Sequence, residues 1–174
     1  MEYRNLNKID KVIVHCSDSD YPQHDDAAVI KKWHLERGWE DIGYHFVICK
    51  KQIGLIQRGR DIDLVGAHCK GVNTTSIGIC LTGKERFSMD QFRSLHRLIA
   101  SIRLVMPKAN IYSYPHHYFN KGKTCPNFSK YCHRNLPPSH RVSDGNLFYP
   151  GDRYTPPNAI LDITAKADHA LNRG

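Results

Sequence analysis

The sequence predicts an α/β protein, a mixed central β-sheet flanked by helices in a single domain. Three observations carry that prediction. Short β-branched runs alternate with helical stretches in the order strand, helix, hairpin, strand, helix, strand. No segment repeats another. At 174 residues and 40% hydrophobic content the chain can bury one sizeable core, and a second full domain would be cramped.

KVIVHC (11–16) is β-branched and bounded by the turn-forming SDSD, so it reads as a strand buried on both faces with His15 at its exit. DDAAVIKKWHLERGW (25–39) opens on acidic residues, carries Val29, Ile30, Trp33 and His34 at helical spacing, and meets Gly38 at its end. That is an amphipathic helix. YHFVICK (44–50) and QIGLIQR (52–58) read as two strands of a hairpin, and TTSIGICLTG (74–83) as another buried strand. SMDQFRSLHRLIASIRLVMP (88–107) predicts a long helix stopped by Pro107, with Ser88 as N-cap and Gln91 in the capping-box position. IYSY (111–114) is the last strand, delivering PHHYFNKGKTCPNF to its edge, a stretch too rich in turn formers for a helix.

Beyond Cys132 the texture changes. Residues 133–174 are turn-forming and punctuated by proline, with one short helix expected in DITAKADHALNRG. They read as an extension packed on the domain or partly free, leaving 1–132 as the functional domain.

Lys and Arg total 25 against 17 Asp and Glu, a net charge of +8, which favours polyanionic partners such as nucleic acid, anionic membrane or bacterial wall. Lys and Arg are spread along the chain and no stacking-aromatic signature occurs, so no nucleic-acid partner is expected. The N-terminal MEYRNLNKIDK has no apolar signal-peptide core and no stretch is apolar enough for a membrane span, so the chain is expected to be made as a soluble cytoplasmic monomer. In that compartment the six cysteines are expected to be reduced, with Cys16, Cys49, Cys69 and Cys80 acting as small buried hydrophobes.

Cys125 differs through its neighbours. A catalytic zinc site needs three protein ligands converging from rigid elements, with one position left open. His15 leaves the first strand, while His116, His117 and Cys125 surround the exit of the last. If those strands are neighbours, two imidazoles and a thiolate meet at one edge. Each histidine taken alone reads as an ordinary surface or core residue, since 11 are scattered along the chain.

The segments VIVHCSD, IKKWHLERGWEDIGYHFVI, LVGAHCKGVNTTSIGICLTG and HHYFNKGKTCPNF agree in order and spacing. Together they resemble the zinc-dependent N-acetylmuramoyl-L-alanine amidases of type 2, which include small phage amidases and the catalytic peptidoglycan recognition proteins. The resemblance implies a Zn2+ cofactor held by His15, by His116 with His117 as the alternative, and by Cys125. His117 gives the spacing of the short phage members, whereas His116 follows the small Pro115 and places Phe119 three residues on. It further implies Tyr44 and Lys123 as catalytic residues, and His68 and Asn73 as residues lining the substrate groove.

That assignment agrees with the chemistry of amide hydrolysis, which needs water activated near pH 7 and a cationic or hydrogen-bonding partner for the oxyanion. The implied activity is cleavage of bacterial peptidoglycan between N-acetylmuramic acid and the L-alanine of the stem peptide. The wall would be reached after release or export, as by a phage endolysin or a secreted effector. The alternative is a peptidoglycan-binding or polymerase-regulating module without hydrolysis. Retention of Tyr44, Lys123 and Cys125 together favours the enzyme.

Overall fold

The computed structural model describes residues 1–106 and 111–128. Five strands, β1 (Lys11–Cys16), β2 (Phe46–Ile48), β3 (Ile56–Arg58), β4 (Ser76–Leu81) and β5 (Tyr112–Pro115), form one sheet in the order β3-β2-β4-β1-β5. β1 runs parallel to both β4 and β5, β2 runs parallel to β4, and β2 and β3 are antiparallel. The sheet is therefore mixed, and β1 and β5 are direct neighbours.

Side chains alternate across each strand, so the sheet presents two apolar faces. One carries Val12, Val14, Phe46, Ile48, Ile77, Ile79 and Leu81, packed against Leu95, Leu98, Ile99 and Ile102 of helix α2 (Met89–Val105). The other carries Val47 and Cys80, packed against Ala27 and Ile30 of helix α1 (Ala27–Glu36) and against Ile42. Each fully buried aliphatic side chain contributes about 1.5 to 3 kcal/mol through lost water contact. His15 pairs in register with Cys80 and so lies on the α1 face.

Helix α2 starts at the capping box read from the sequence, with the Gln91 N–H donating to Ser88 Oγ at 3.2 Å and the Ser88 N–H to Gln91 Oε1 at 3.0 Å. The Gln91 amide also donates to the carbonyls of Ile48 and Thr82, tying the helix start to the ends of β2 and β4. The helix ends at Val105, and Pro107 lies outside the described residues. Helix α1 is shorter than the span 25–39. Asp26 caps it, while Asp25 turns away to accept the N–H groups of Lys50 and Lys51 at 2.8 and 2.7 Å.

Two local expectations need correction. The hairpin strands are only three residues each, joined by residues 49–55 rather than by a one-residue turn. Gln52 and Ile53 there take left-handed conformations, with φ of 52° and 57°, because Asp25 draws the Lys50 and Lys51 amides out of the ladder. HHYF (116–119), expected to be non-helical, makes a single helical turn directly after β5. The described cysteines are free, and Cys16, Cys49, Cys69 and Cys80 are buried. No helix of the described residues is long and apolar enough to cross a membrane. The expectations for Cys132 and for 133–174 fall outside the described residues.

Asp20 fastens the loops that leave β1 and β4. Its carboxylate accepts the N–H groups of Lys84, Glu85 and Arg86 at 3.0 to 3.2 Å and pairs with Lys50 Nζ at 3.1 Å. Burial opposes the charge, but these donors outweigh it and hold the carboxyl well below the usual carboxylate range. A depressed folded-state value means that the stability it contributes is complete above the unfolded value of about 3.9 and is lost as pH falls below it. Asp20→Asn is expected to cost about 1 to 2 kcal/mol at neutral pH and to flatten the acid limb of the stability curve. Thermal melts of parent and variant between about pH 2 and pH 7 check this, and superimposable acid limbs would reject Asp20 as the anchor.

Candidate functional site

The parallel strands β1, β4 and β5 end on one edge of the sheet, the place where open α/β sheets collect functional groups. Strand register sets up the site. Val14 pairs with Pro115, so one further step places His116 beside His15. The two rings stand with centroids 4.5 Å apart. The loop that follows returns Cys125 to the same point and is anchored by Phe128, buried against Phe87 and Phe92.

Among the described residues, His15, His116 and Cys125 are the group able to hold a metal ion, with one ligand atom from each lying within 4.8 Å of the others. Cys125 Sγ lies 3.9 Å from His15 Nδ1 and accepts the Cys16 N–H at 3.2 Å. His117 is turned elsewhere. Its N–H donates to the Cys125 carbonyl at 2.9 Å, and its Nδ1 lies 3.2 Å from the same oxygen.

The electrostatics suit ligation. Burial, then the neighbouring His68 and His116, hold His15 well below its usual value. Burial, then Lys123 and His117, lower His116. Both imidazoles are therefore neutral, each with a lone pair to give. The hydrogen bond shared with the Cys16 thiol, followed by burial, raises the Cys125 thiol, so metal binding at this sulfur would release a proton.

Tyr44 and Lys123 border the cluster. The Tyr44 ring is 5.0 Å from that of His15. Burial, then the thiols of Cys80, Cys125 and Cys16, lift its phenol well above the usual value, so the hydroxyl keeps its proton. Lys123 is exposed, its N–H donating to the Asn120 carbonyl at 3.0 Å, and its ammonium is close enough to lower His116.

The two groove residues are placed differently from their expected role. His68 is only 8% exposed, and both ring nitrogens face protein partners, Nδ1 on His15 at 3.1 Å and Nε2 on Ser76 Oγ at 3.4 Å. Burial brings it down to about 3, so it is neutral. It offers no free hydrogen-bonding edge to a substrate. Asn73 spends its amide oxygen on the N–H groups of His68 and Cys69 at 3.0 and 2.8 Å, holding that loop shut.

Sequence reasoning missed His34, His45 and Ser76. His34 Nδ1 accepts the Gly43 N–H at 3.0 Å and its ring stacks on Trp39, which positions the residue just before Tyr44. His45 Nδ1 accepts the Gly78 N–H at 2.9 Å. The sequence puts His34 on the apolar face of its helix without showing its partner, and nothing local marks the burial and bonding of His45 and Ser76. A surface cavity of about 330 Å³ bordered by Asp26, Lys31, Gln57 and Arg58 shares no residue with the cluster.

Comparison with known proteins gives the family and the fold. The N-acetylmuramoyl-L-alanine amidase family matches residues 5–128. The endolysins of Enterobacteria phage K11 and Escherichia phage T7 are each 34% identical over 136 residues, covering 74% of this chain and 87% of theirs. Among solved structures, the endolysin amidase LysCS from Clostridium intestinale superposes with a TM-score of 0.60 at 27% identity, over 72% of this chain and 80% of its own. Drosophila PGRP-LB superposes with a TM-score of 0.57 at 26% identity, over 76% of this chain and 84% of its own. With the fold, the clustered ligand-type residues and the family match in agreement, the chain belongs to the N-acetylmuramoyl-L-alanine amidase family of peptidoglycan hydrolases.

Proposed function

We propose that this chain is a zinc-dependent amidase that cleaves the bond between the lactyl group of N-acetylmuramic acid and the L-alanine of the stem peptide. The observation that carries the proposal is the convergence of His15, His116 and Cys125 beside Tyr44 and Lys123. The donor set fits zinc. Two neutral imidazoles and one thiolate form a three-ligand catalytic set, and metal–ligand bonds of about 2.0 to 2.3 Å put neighbouring donors about 3.6 Å apart in a tetrahedron. The 3.9 Å between His15 Nδ1 and Cys125 Sγ needs only a small inward shift.

When bound, zinc supplies Lewis acidity that polarises the scissile carbonyl and activates water near neutral pH. The chain's own groups do the rest. The Tyr44 hydroxyl, kept protonated, donates a hydrogen bond to the carbonyl oxygen as charge builds there. The Lys123 ammonium, on the exposed side of the cluster, neutralises the same charge. The cysteine ligand requires a reduced protein, and the net charge of +8 draws the chain to an anionic wall.

Purified sacculi digested with zinc-loaded protein are expected to release free L-alanine amino groups, and chelation is expected to stop the release. The same assay separates an enzyme from a binding module. Binding to sacculi without amino-group release by zinc-loaded protein would overturn the hydrolytic reading.

A further inference from the structure

We propose that Ser76 and His68 form a one-way hydrogen-bond relay that locks His15 in its Nε2–H tautomer and so reserves the Nδ1 lone pair for the metal. Both are positioning residues, and the proposal rests on the zinc reading above.

Proton counting gives the relay its direction. Ser76 Oγ lies 2.7 Å from the Val72 carbonyl, which can only accept, so the single hydroxyl proton is spent there. Ser76 Oγ can then only accept from its other neighbour, His68 Nε2 at 3.4 Å, and that nitrogen carries the proton. A neutral imidazole protonated at Nε2 has a bare Nδ1. His68 Nδ1 faces His15 Nε2 at 3.1 Å, so His15 must donate. What remains on His15 is an unprotonated Nδ1, the nitrogen facing Cys125 Sγ.

The surroundings are shaped to hold His68 in this pose. A Cβ at Gly78 would sit 2.5 Å from His68 Cγ and Cδ2, and one at Gly66 would sit 2.6 Å from Cδ2. Glycine at both positions lets backbone close on the ring, and Asn73 Oδ1 accepts the His68 backbone N–H at 3.0 Å. Metal-bound histidines commonly hand their second nitrogen to a carboxylate or carbonyl, which raises ligand basicity. Here the acceptor is a neutral imidazole, so Cys125 is the sole anionic member of the proposed ligand set and the loaded site keeps a net positive charge.

The test combines zinc affinity, measured by competition with a chromophoric chelator, with nitrogen-15 NMR of the imidazoles in zinc-free protein. His68→Leu removes the acceptor, and zinc is expected to bind about 10- to 100-fold more weakly while His15 shows mixed tautomers. His68→Asn, whose amide oxygen can stand where Nδ1 stood, is expected to recover affinity to within about threefold of the parent. A purely structural role for His68 would show no such rescue. If His68→Leu does not fold, Ser76→Ala serves. It removes the Oγ acceptor and leaves His68 the Ser76 backbone carbonyl alone, and it is expected to mix the tautomers of both histidines and weaken zinc severalfold. The relay is overturned if the folded variants bind zinc within twofold of the parent, or if His15 of the parent carries its proton on Nδ1. Parent protein that binds no zinc would instead overturn the metal reading, a result obtained before any variant is made.

Discussion

Alanine at position 116 is expected to strip the protein of stoichiometric zinc and of activity, while alanine at position 117 leaves both in place. The β1–β5 register puts His116 beside His15, their rings are 4.5 Å apart, and His116 joins Cys125 in the cluster. His117 instead points at the Cys125 carbonyl, with its backbone N–H at 2.9 Å and its ring nitrogen at 3.2 Å. Structural zinc sites bind with about 10 to 16 kcal/mol from four ligands, so one ligand is worth about 3 kcal/mol and its loss weakens zinc on the order of 100- to 1000-fold. His117→Ala keeps the backbone bond and loses the ring contact alone, a stability cost of about 1 kcal/mol. Metal content of the two variants after desalting decides the matter. Zinc lost from His117→Ala and kept by His116→Ala would shift one ligand by one residue. Full zinc in both would remove this segment from the metal site and with it the proposed mechanism.

Tyr44→Phe and Lys123→Ala are each expected to lower turnover by about 100- to 1000-fold, the usual cost of deleting one donor aimed at a developing oxyanion, with zinc near one per chain. The Tyr44 phenol stays protonated over the whole working range because burial and the surrounding thiols resist its ionisation, so the hydroxyl is a permanent donor. Phenylalanine preserves the ring against His15 and deletes the hydroxyl together with its hydrogen bond to the Cys80 thiol. Lys123 is exposed, and its removal should change stability by less than about 0.5 kcal/mol, so lost activity there reports on chemistry and not on folding. Zinc loss in either variant would assign that residue to metal support. A fall in turnover below about threefold would remove it from the catalytic set.

Much of the fold was legible in the chain because the signals are local. The β-branched runs at KVIVHC and SIGICL became the parallel strands β1 and β4, and Ser88 with Gln91 closed the capping box that starts α2. The hairpin was less legible. Its length depends on Asp25, more than 20 residues upstream, withdrawing two amides from the ladder. HHYF became a helical turn although proline and glycine surround it, since four residues suffice for one turn between a strand exit and a loop.

The sequence by itself determined the kind of chemistry available, through imidazoles at strand exits and a thiol, a tyrosine and a lysine that accompany them in an amidase-like order. Only the tertiary structure decided which groups meet and through which atoms. Spacing and neighbouring residues favour His117 and His116 respectively in the string of letters, and the pairing of β1 with β5 puts His116 beside His15. His68 looked like a groove residue until its ring was found spent on His15 and Ser76. The physical reason is separation along the chain. Propensity and capping act over a few residues, whereas the contacts that orient His15 join residues 53 and 110 positions apart, brought together by the packing of two loops, one held by Asn73 and the other by Phe128, against the end of β1.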